Sequence, residues 1–592
     1  MKKALFIFVV LLATTCKAQQ FGWLEGNDVR MRVFSNGHIG WADTIPWVGY
    51  YVPADSLISP LFSAGLWIGG MDPQGTVRSF AQSYLIDEQE EVFPGPLAVG
   101  TAFISPATSA AYDRVWTVSA EEVLQHSAWA DCVADPDCDE TVEFPDYSIP
   151  DDFIQWPAHG DQQQGQAEFL APFFDRNGNG SYEPAFGDHP CVPGDQAAYV
   201  IFNDNLAPST YTAGLPLGLE IHMTAFSYSN EDPAIDQTVF VHYRMINRSD
   251  TAYQDVYVGT FADMDIGCPV DDFIGSDVGR NMMFTYNWDD IDEQCLFSPG
   301  YGVTPPAFGI NVLKGPLLVP DGYDDLYDIS LPAYNGTGFG DGTLDNERAG
   351  MHSMVYFNRE GYAAMTDPSN DQHVYNYLQA IWKDGMHLTY GGTGYPGDTS
   401  AVEAQFMFPW DSDPMGVGTE GIPMPSWVET SQGNLVDRRG IMGSGPFMLP
   451  AGGEQDILFG YVYARASSGG ATASVEALKL RVDSVKAFAQ TIPGIMAPGQ
   501  LCEGIITGIE SFDPGYSTLL IHPNPAADQI IMKGTSLSKG RIQLYDLHGS
   551  LVAQRSIASV PAVLNVQDLR PGVYFLRYEM KDRNVFGRFI KE

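Results

Sequence analysis

From Gly508 to its last residue the chain is a succession of short apolar segments cut by turn residues. That spacing leaves few folds open to it. The segments are Thr518–His522, followed by Pro523-Asn524-Pro525; Gln529–Lys533; Arg541–Asp546, followed by His548-Gly549; Leu551–Ile557; Ala562–Val566; Val573–Tyr578; and Val585–Ile590. Seven strands at steps of roughly 8–12 residues predict an immunoglobulin-like β-sandwich over 508–592.

Within this stretch, four phrases resemble the type A C-terminal sorting domain of the type IX (Por) secretion system of Bacteroidetes. They are His522-Pro-Asn-Pro-Ala526, Leu544-Tyr-Asp-Leu-His-Gly549, Leu569-Arg-Pro-Gly-Val-Tyr-Phe575 and the terminal Phe589-Ile-Lys591. The resemblance covers about 80 of 592 residues, with its phrases in the family's order. It implies that residues 508–592 engage the type IX machinery and are removed during export. The cargo would then be anchored to surface lipopolysaccharide or released, outside the cell or on the outer-membrane surface, by way of the periplasm.

The N-terminus agrees. Met1-Lys2-Lys3 supplies a positive segment, Ala4–Ala13 an apolar run, and Cys16-Lys17-Ala18 small residues at −3 and −1. These predict a signal peptide over 1–18, cleaved before Gln19. The rival reading makes Cys16 a lipidated cysteine, but Ala13-Thr14-Thr15 is a poor lead-in for that. No later run reaches 18 apolar residues, so no transmembrane segment is expected after signal removal.

The formal charge of −43 is unevenly spread. Residues 507–592 hold 10 Lys/Arg against 8 Asp/Glu, so of the chain's 31 and 74, residues 1–506 keep 21 against 66. The break in charge coincides with the break in pattern and predicts an acidic β-rich cargo region over 19–492, of two or three subdomains, and a linker over 493–507. Such acidity disfavours nucleic acid as a partner and favours cations, basic ligands or solubility in salt. A 44% hydrophobic content with 12% aromatics excludes disorder for the bulk of the chain.

Beyond the signal peptide lie six cysteines, Cys132, Cys138, Cys191, Cys268, Cys295 and Cys502. An even count in an exported chain predicts disulfides. Cys132 with Cys138 is the local pairing favoured, and Cys268 with Cys295 the second. No zinc spacing is present.

In the acidic region strands dominate, for example Phe62–Gly70, Thr238–Asn247, Asp255–Phe261 and Gly460–Ala464. One amphipathic helix is predicted over about Ala473–Gln490, where Val475, Leu478, Val482, Val485 and Ala489 recur at three- and four-residue steps before Pro493-Gly494. Asn27-Asp-Val-Arg30, Phe34-Ser-Asn-Gly37, Ala64-Gly-Leu-Trp-Ile-Gly-Gly70, Gly194-Asp-Gln196, Leu215-Pro-Leu-Gly-Leu-Glu-Ile-His222 and Asp263-Met-Asp-Ile-Gly267 resemble a group of large exported proteins of the same phylum. That likeness spans most of 25–500, implies one extended β-rich architecture and carries no activity with it.

Candidate chemistry centres on oxygen ligands. Asp175-Arg-Asn177-Gly-Asn179-Gly180-Ser181-Tyr-Glu183 places oxygens at positions 1, 3, 5, 7 and 9 with glycine at 6, as a calcium loop requires. Phe186 stands where an EF-hand has its bidentate glutamate, so this is an abbreviated loop that Asp188 would complete. Its affinity would be roughly 10⁻⁴–10⁻³ M, as in extracellular modules. The competing reading is an Asn-Gly turn without metal. Asp263, Asp265, Asp271 and Asp272, with Asp277 beyond, form a second acidic knot that either holds calcium or is a solvated loop.

Other chemistry is weaker. Glu220-Ile-His222 alternates on one strand face, where a hydrogen-bonded histidine is favoured over a metal site. Paired carboxylates fit glycoside hydrolysis, but 74 acidic residues make a chance pair almost certain. There is no HExxH, GxSxG, P-loop or GxGxxG following a strand. The abundant aromatics suit either sugar stacking or strand cores. Asp43-Thr-Ile45, Asp55-Ser-Leu57, Asp250-Thr-Ala252 and Asp483-Ser-Val485 match short O-glycan acceptor sites. The function expected is an exported structural or ligand-binding module with calcium in its loops, more an interaction protein than an enzyme. Its polysaccharide or lipopolysaccharide partners are inferred. A secreted glycoside hydrolase or peptidase, or a surface adhesin, is the alternative.

Overall fold

The computed structural model describes residues 20–495 and 520–591, apart from 42–47, 85–90, 296–297, 327–335, 359–360, 398–401, 430–436, 523–525, 534–538, 546–550, 558–561, 568, 571 and 581–583. The segment expected to be a signal peptide, most of the expected linker and Cys502 fall outside the described residues. The chain is mainly β. It divides into two compact units, Met1–Ile505 and Ile506–Glu592.

Two antiparallel sheets dominate the first unit. The larger has nine strands, running in the order Asp272–Asp277, Met282–Asn287, Ala307–Lys314, Glu454–Ala464, Thr238–Asn247, Leu219–Ser227, Gln196–Asn203 and Phe93–Pro94, with Trp116–Ser119 also pairing with Gln196–Asn203. The smaller runs Ser353–Asn358, Arg438–Leu449, Tyr253–Asp263, Ser63–Met71 and Val77–Ala81.

Alternation along the strands decides which faces meet. In Thr238–Asn247, Val239, Val241, Tyr243 and Met245 point into the main core, where they join Ile221 and Met223 of one neighbour and Ile457 and Phe459 of the other. Leu66, Ile68, Val258 and Phe261 of the smaller sheet enter the same core. Trp67 is fully buried and stacked on Phe261, with centroids 5.7 Å apart and planes 5° off parallel. Removing a ring in such a place costs about 3–5 kcal/mol.

The opposite face of the nine-stranded sheet carries a second core under the helix Gly470–Ala489. Val475, Leu478, Val482, Val485 and Ala489, the residues of the predicted stripe, are all buried there. The sequence expectation of a single helix is too low. Ala120–Ala134 is a 15-residue helix, opened by a reciprocal capping box in which Ser119 receives the Glu122 amide and Glu122 the Ser119 amide. Its buried side chains include His126 and Cys132, so hydrophobicity alone understates its inward face. Cys132–Cys138 and Cys268–Cys295, the two pairings expected from the sequence, are disulfides, each with Cα atoms 5.3 Å apart. Cys191 is also disulfide-bonded.

The second unit has seven strands among its described residues, forming two antiparallel sheets. One runs Leu520–His522, Gln529–Lys533, Ala562–Asn565, and the other Leu551–Ile557, Gly540–Tyr545, Gly572–Glu579, Asn584–Lys591. Ile530, Met532 and Leu564 of the first sheet share a core with Ile542, Leu544, Leu576 and Tyr578 of the second. That is a two-sheet sandwich with an interior of its own.

Candidate metal centre

Strand register builds the densest acidic group. Asp263 ends its strand paired on one side with Ser63 and on the other with Arg439. Asp265 lies two residues on from Asp263, and Asp437 two residues before Arg439. Two such i, i+2 pairs at the end of one ladder bring carboxylate oxygens of Asp263, Asp265 and Asp437 within 4.8 Å of one another. Among the described residues this is the only group of three or more acidic, histidine or cysteine ligands that close.

The group is short of positive charge. Arg439 reaches Asp437 Oδ2 at 2.7 Å and stands 3.7 Å from Asp263 Oδ2. Tyr84 donates to Asp263 Oδ2 at 2.6 Å and accepts from Arg439 Nε. Arg439 also stands 3.5 Å from Asp367, so one guanidinium is shared among more carboxylates than it can neutralise. Asp263 is 3% exposed, and its Oδ1 accepts no hydrogen bond; neither does the buried Oδ1 of Asp437. Burial first, then Asp437, pushes the Asp263 carboxyl well above the ordinary range. Burial followed by Asp263 and Asp437 does the same to Asp265.

Asp271 and Asp272 lie outside this trio. Asp272 Oδ2 receives the Ile266 amide at 2.7 Å, bracing the turn that carries Asp265, while Oδ1 of each of Asp271 and Asp272 is buried without a partner. Burial raises Asp272 well above the ordinary range, and burial with Asp292 lifts Asp271 to about 7. Asp277 is an ion-pair residue, 3.0 Å from Arg280, which also binds Asp483 of the helix Gly470–Ala489. The third member of the trio, Asp437, is one that sequence reasoning missed. Only its Asp-x-Arg spacing at a strand start could have drawn attention to it.

The Asp175 loop is a network of amide-to-oxygen bonds. Asp175 Oδ1 accepts from Gly178 and Asn179, and Oδ2 from Gly180 at 2.6 Å; those amides, Gly180 first, hold its carboxyl below the usual value. Asn177 accepts from the Asn179 amide and Asn179 from the Ser181 amide, while Asn179 Nδ2 donates to Glu183 at 2.7 Å. Asp188 is fully buried, and its two oxygens receive the Arg176 and Glu183 amides. Gly178 and Gly180 adopt φ of +71° and +78°, where a side chain would be strained. Loop closure therefore brings all six predicted residues into one network, with the acidic oxygens engaged by amides.

Comparison with known proteins adds little to the first unit. No curated protein matches the chain. A solved polysaccharide lyase aligns at 8% identity over 63% of this chain and 34% of its own, with a TM-score of 0.17, a level at which superposition carries no argument about fold or activity. The chain thus spans about a third of that structure's length. No helix among the described residues is long and apolar enough to cross a membrane. Residues 520–592 match the family described as the secretion system C-terminal sorting domain. Through that domain the chain is cargo of the type IX secretion machinery, exported to the cell surface or the extracellular space.

Proposed function

We propose that the acidic region delivered by this route is a non-enzymatic structural or ligand-binding module, and that calcium bound by Asp263, Asp265 and Asp437 fixes the end of its smaller sheet. The observation that carries the reading is the buried, unpartnered Oδ1 on Asp263, whose carboxylate has those of Asp265 and Asp437 within 4.8 Å. The carboxylates outnumber the one guanidinium among them, a shortfall that a divalent cation would offset. Oxygens bound to a single calcium lie at most about 5 Å apart, twice the metal–oxygen distance, which suits this spacing. Backbone carbonyls and water would complete six to eight ligands. The all-oxygen donor set favours a hard cation over zinc or copper.

The loop of Asp175, Asn177, Asn179, Ser181, Glu183 and Asp188 is proposed as a second, weaker calcium site. Its support is the spacing of its oxygens and the buried Asp188 beneath it. Melting the mature protein with and without EGTA tests the reading. Calcium should raise the melting temperature of the wild type and raise that of Asp263→Asn by much less, the share of the Asp175 loop, whereas a wild type indifferent to EGTA would overturn it.

A further inference from the structure

A polar stretch of the sheet face that carries the second core forms the floor of a cavity of about 770 Å³, within the range of small-molecule sites. Register explains the floor. Tyr199, Thr224 and His242 stand in one cross-strand row, and His222, Arg244 and Asp456 in the next. The opposite wall is apolar and comes from the 169–173 segment, where Phe169 and Phe173 are stacked with centroids 6.5 Å apart.

Both floor histidines are locked. His222 Nε2 lies 2.8 Å from Glu220 Oε1, and its Nδ1 lies 2.9 Å from the Tyr199 hydroxyl. Burial favours a raised Glu220 carboxyl, but His222 and Arg248 hold it down to about 2. Burial also lowers His222, so the ring is neutral, Nε2–H donates to Glu220, and Nδ1 accepts from Tyr199. His242 Nε2 is 2.9 Å from Asp456, which also binds Lys314 at 2.7 Å and Arg348 at 2.9 Å.

These contacts argue for binding over chemistry. Glycoside hydrolysis needs one carboxyl raised to act as an acid. Here Glu220 and Asp456 are both clamped by cations, Asp456 far below its ordinary value despite burial. Burial pushes the Tyr199 phenol well up, which leaves it a proton donor and a poor base.

Charge selects the ligand. Lys314, which lies outside the lining, and Arg348, which belongs to it, share one carboxylate, Asp456; with Arg244 set against Glu454, these groups sum to one positive charge in a chain whose net charge is −43. Arg248 is matched by the buried Glu220. Among the described residues Arg244 pairs with Glu454, and both side chains are about half exposed, so that partnership is weak and easily exchanged. We propose that this cavity binds a small organic carboxylate with an apolar face, the chemistry of a uronic-acid unit, its anionic group on Arg244 beside the Arg348 end and its body against Phe169 and Phe173. The proposal deepens the ligand-binding reading above and rests on it.

Titration calorimetry on the full mature chain at low salt tests it, with glucuronate, benzoate and glucose as probes. At least one of the two carboxylates should bind about tenfold more tightly than glucose, the worth of one charge-assisted hydrogen bond. Glucuronate alone binding would identify a sugar acid, and benzoate binding equally well a general carboxylate site. Arg244→Met, at the rim, should weaken binding about tenfold without moving the melting temperature, and Thr224→Trp, which fills the floor, should abolish it. Failure of both carboxylates to bind, parity with glucose, or indifference to both substitutions overturns the site. If calcium dependence persists in that case, only the anion site fails; turnover of an acidic polysaccharide would instead overturn the non-enzymatic reading.

Discussion

Asp263 and Arg439 sit directly opposite one another on neighbouring antiparallel strands, yet the guanidinium remains 3.7 Å from the Asp263 carboxylate and bonds Asp437 more closely, at 2.7 Å. One cation is divided between acids it does not fully neutralise. That shortfall generates the first prediction.

Asp263→Asn should respond oppositely in the two states. In EGTA it should melt at or above the wild type, because a buried like-charge contact is gone. In calcium it should lose the gain of about 3 kcal/mol expected at a hundredfold excess over Kd. Differential scanning calorimetry of both proteins in both buffers decides it. A variant that keeps the full calcium response excludes Asp263 as a ligand.

Asp175→Ala removes the acceptor for three backbone amides in an exposed loop, at a cost of about 1 kcal/mol whether or not metal is bound. If the loop also holds calcium, the variant should lose part of the EGTA response, and the Asp175→Ala, Asp263→Asn double variant should lose all of it. Equal EGTA responses in the wild type and Asp175→Ala would make the loop a turn without metal.

The buried histidines set an acid limit. Burial lowers His38, His126 and His352 to about 4 from 6.5. Below pH 6.5 the unfolded chain takes up these protons while the folded chain refuses them until about pH 4. Stability should therefore be fully present above 6.5 and fall as pH drops towards 4, by about 3 kcal/mol per histidine. The raised carboxyls Asp263, Asp265 and Asp272 have the opposite sign: without calcium they favour the fold at low pH and lose that contribution as pH rises. Urea midpoints between pH 7.5 and 4.5 in calcium should fall steeply, and in EGTA less so. Parallel slopes in the two buffers would contradict the cluster assignment.

Deleting 507–592 should leave the first unit folded and held in the periplasm, because the sorting sandwich has its own core of Ile530, Met532, Ile542, Leu544 and Leu576. Fractionation locates the truncated chain, and its melting transition reports the fold. Delivery of the truncated chain to the surface would refute the assignment of the address.

What could be read from the chain followed from local periodicity. The seven terminal strands, the alternation of Thr238–Asn247 and the stripe from Val475 to Ala489 are each written in consecutive residues. The trio was half legible, because Asp263 and Asp265 are neighbours in sequence while Asp437 arrives only through strand pairing. Tyr84 and Arg439, which meet beside it, are 355 residues apart. The cavity floor was less legible still. Its rows alternate with core residues on the same strands, so Tyr199, His222, His242 and Asp456 look like isolated polar interruptions until register aligns them. The helix Ala120–Ala134 was announced by its Ser119–Glu122 box but disguised by the polar residues it buries.

The Cys268–Cys295 bridge closes a segment whose ends are 27 positions apart and which begins three positions beyond Asp265, and the Cys268 amide donates to Asp292 within it. Cross-linking removes conformational freedom from the unfolded segment, so repulsion among its acids becomes easier to bear once the bond exists. Thiol oxidation belongs to the periplasm rather than the reducing cytosol. Newly made chains would therefore leave the ribosome with this segment open, and close it only after crossing the inner membrane. Compartment chemistry thereby times the closure of the acidic segment between Cys268 and Cys295.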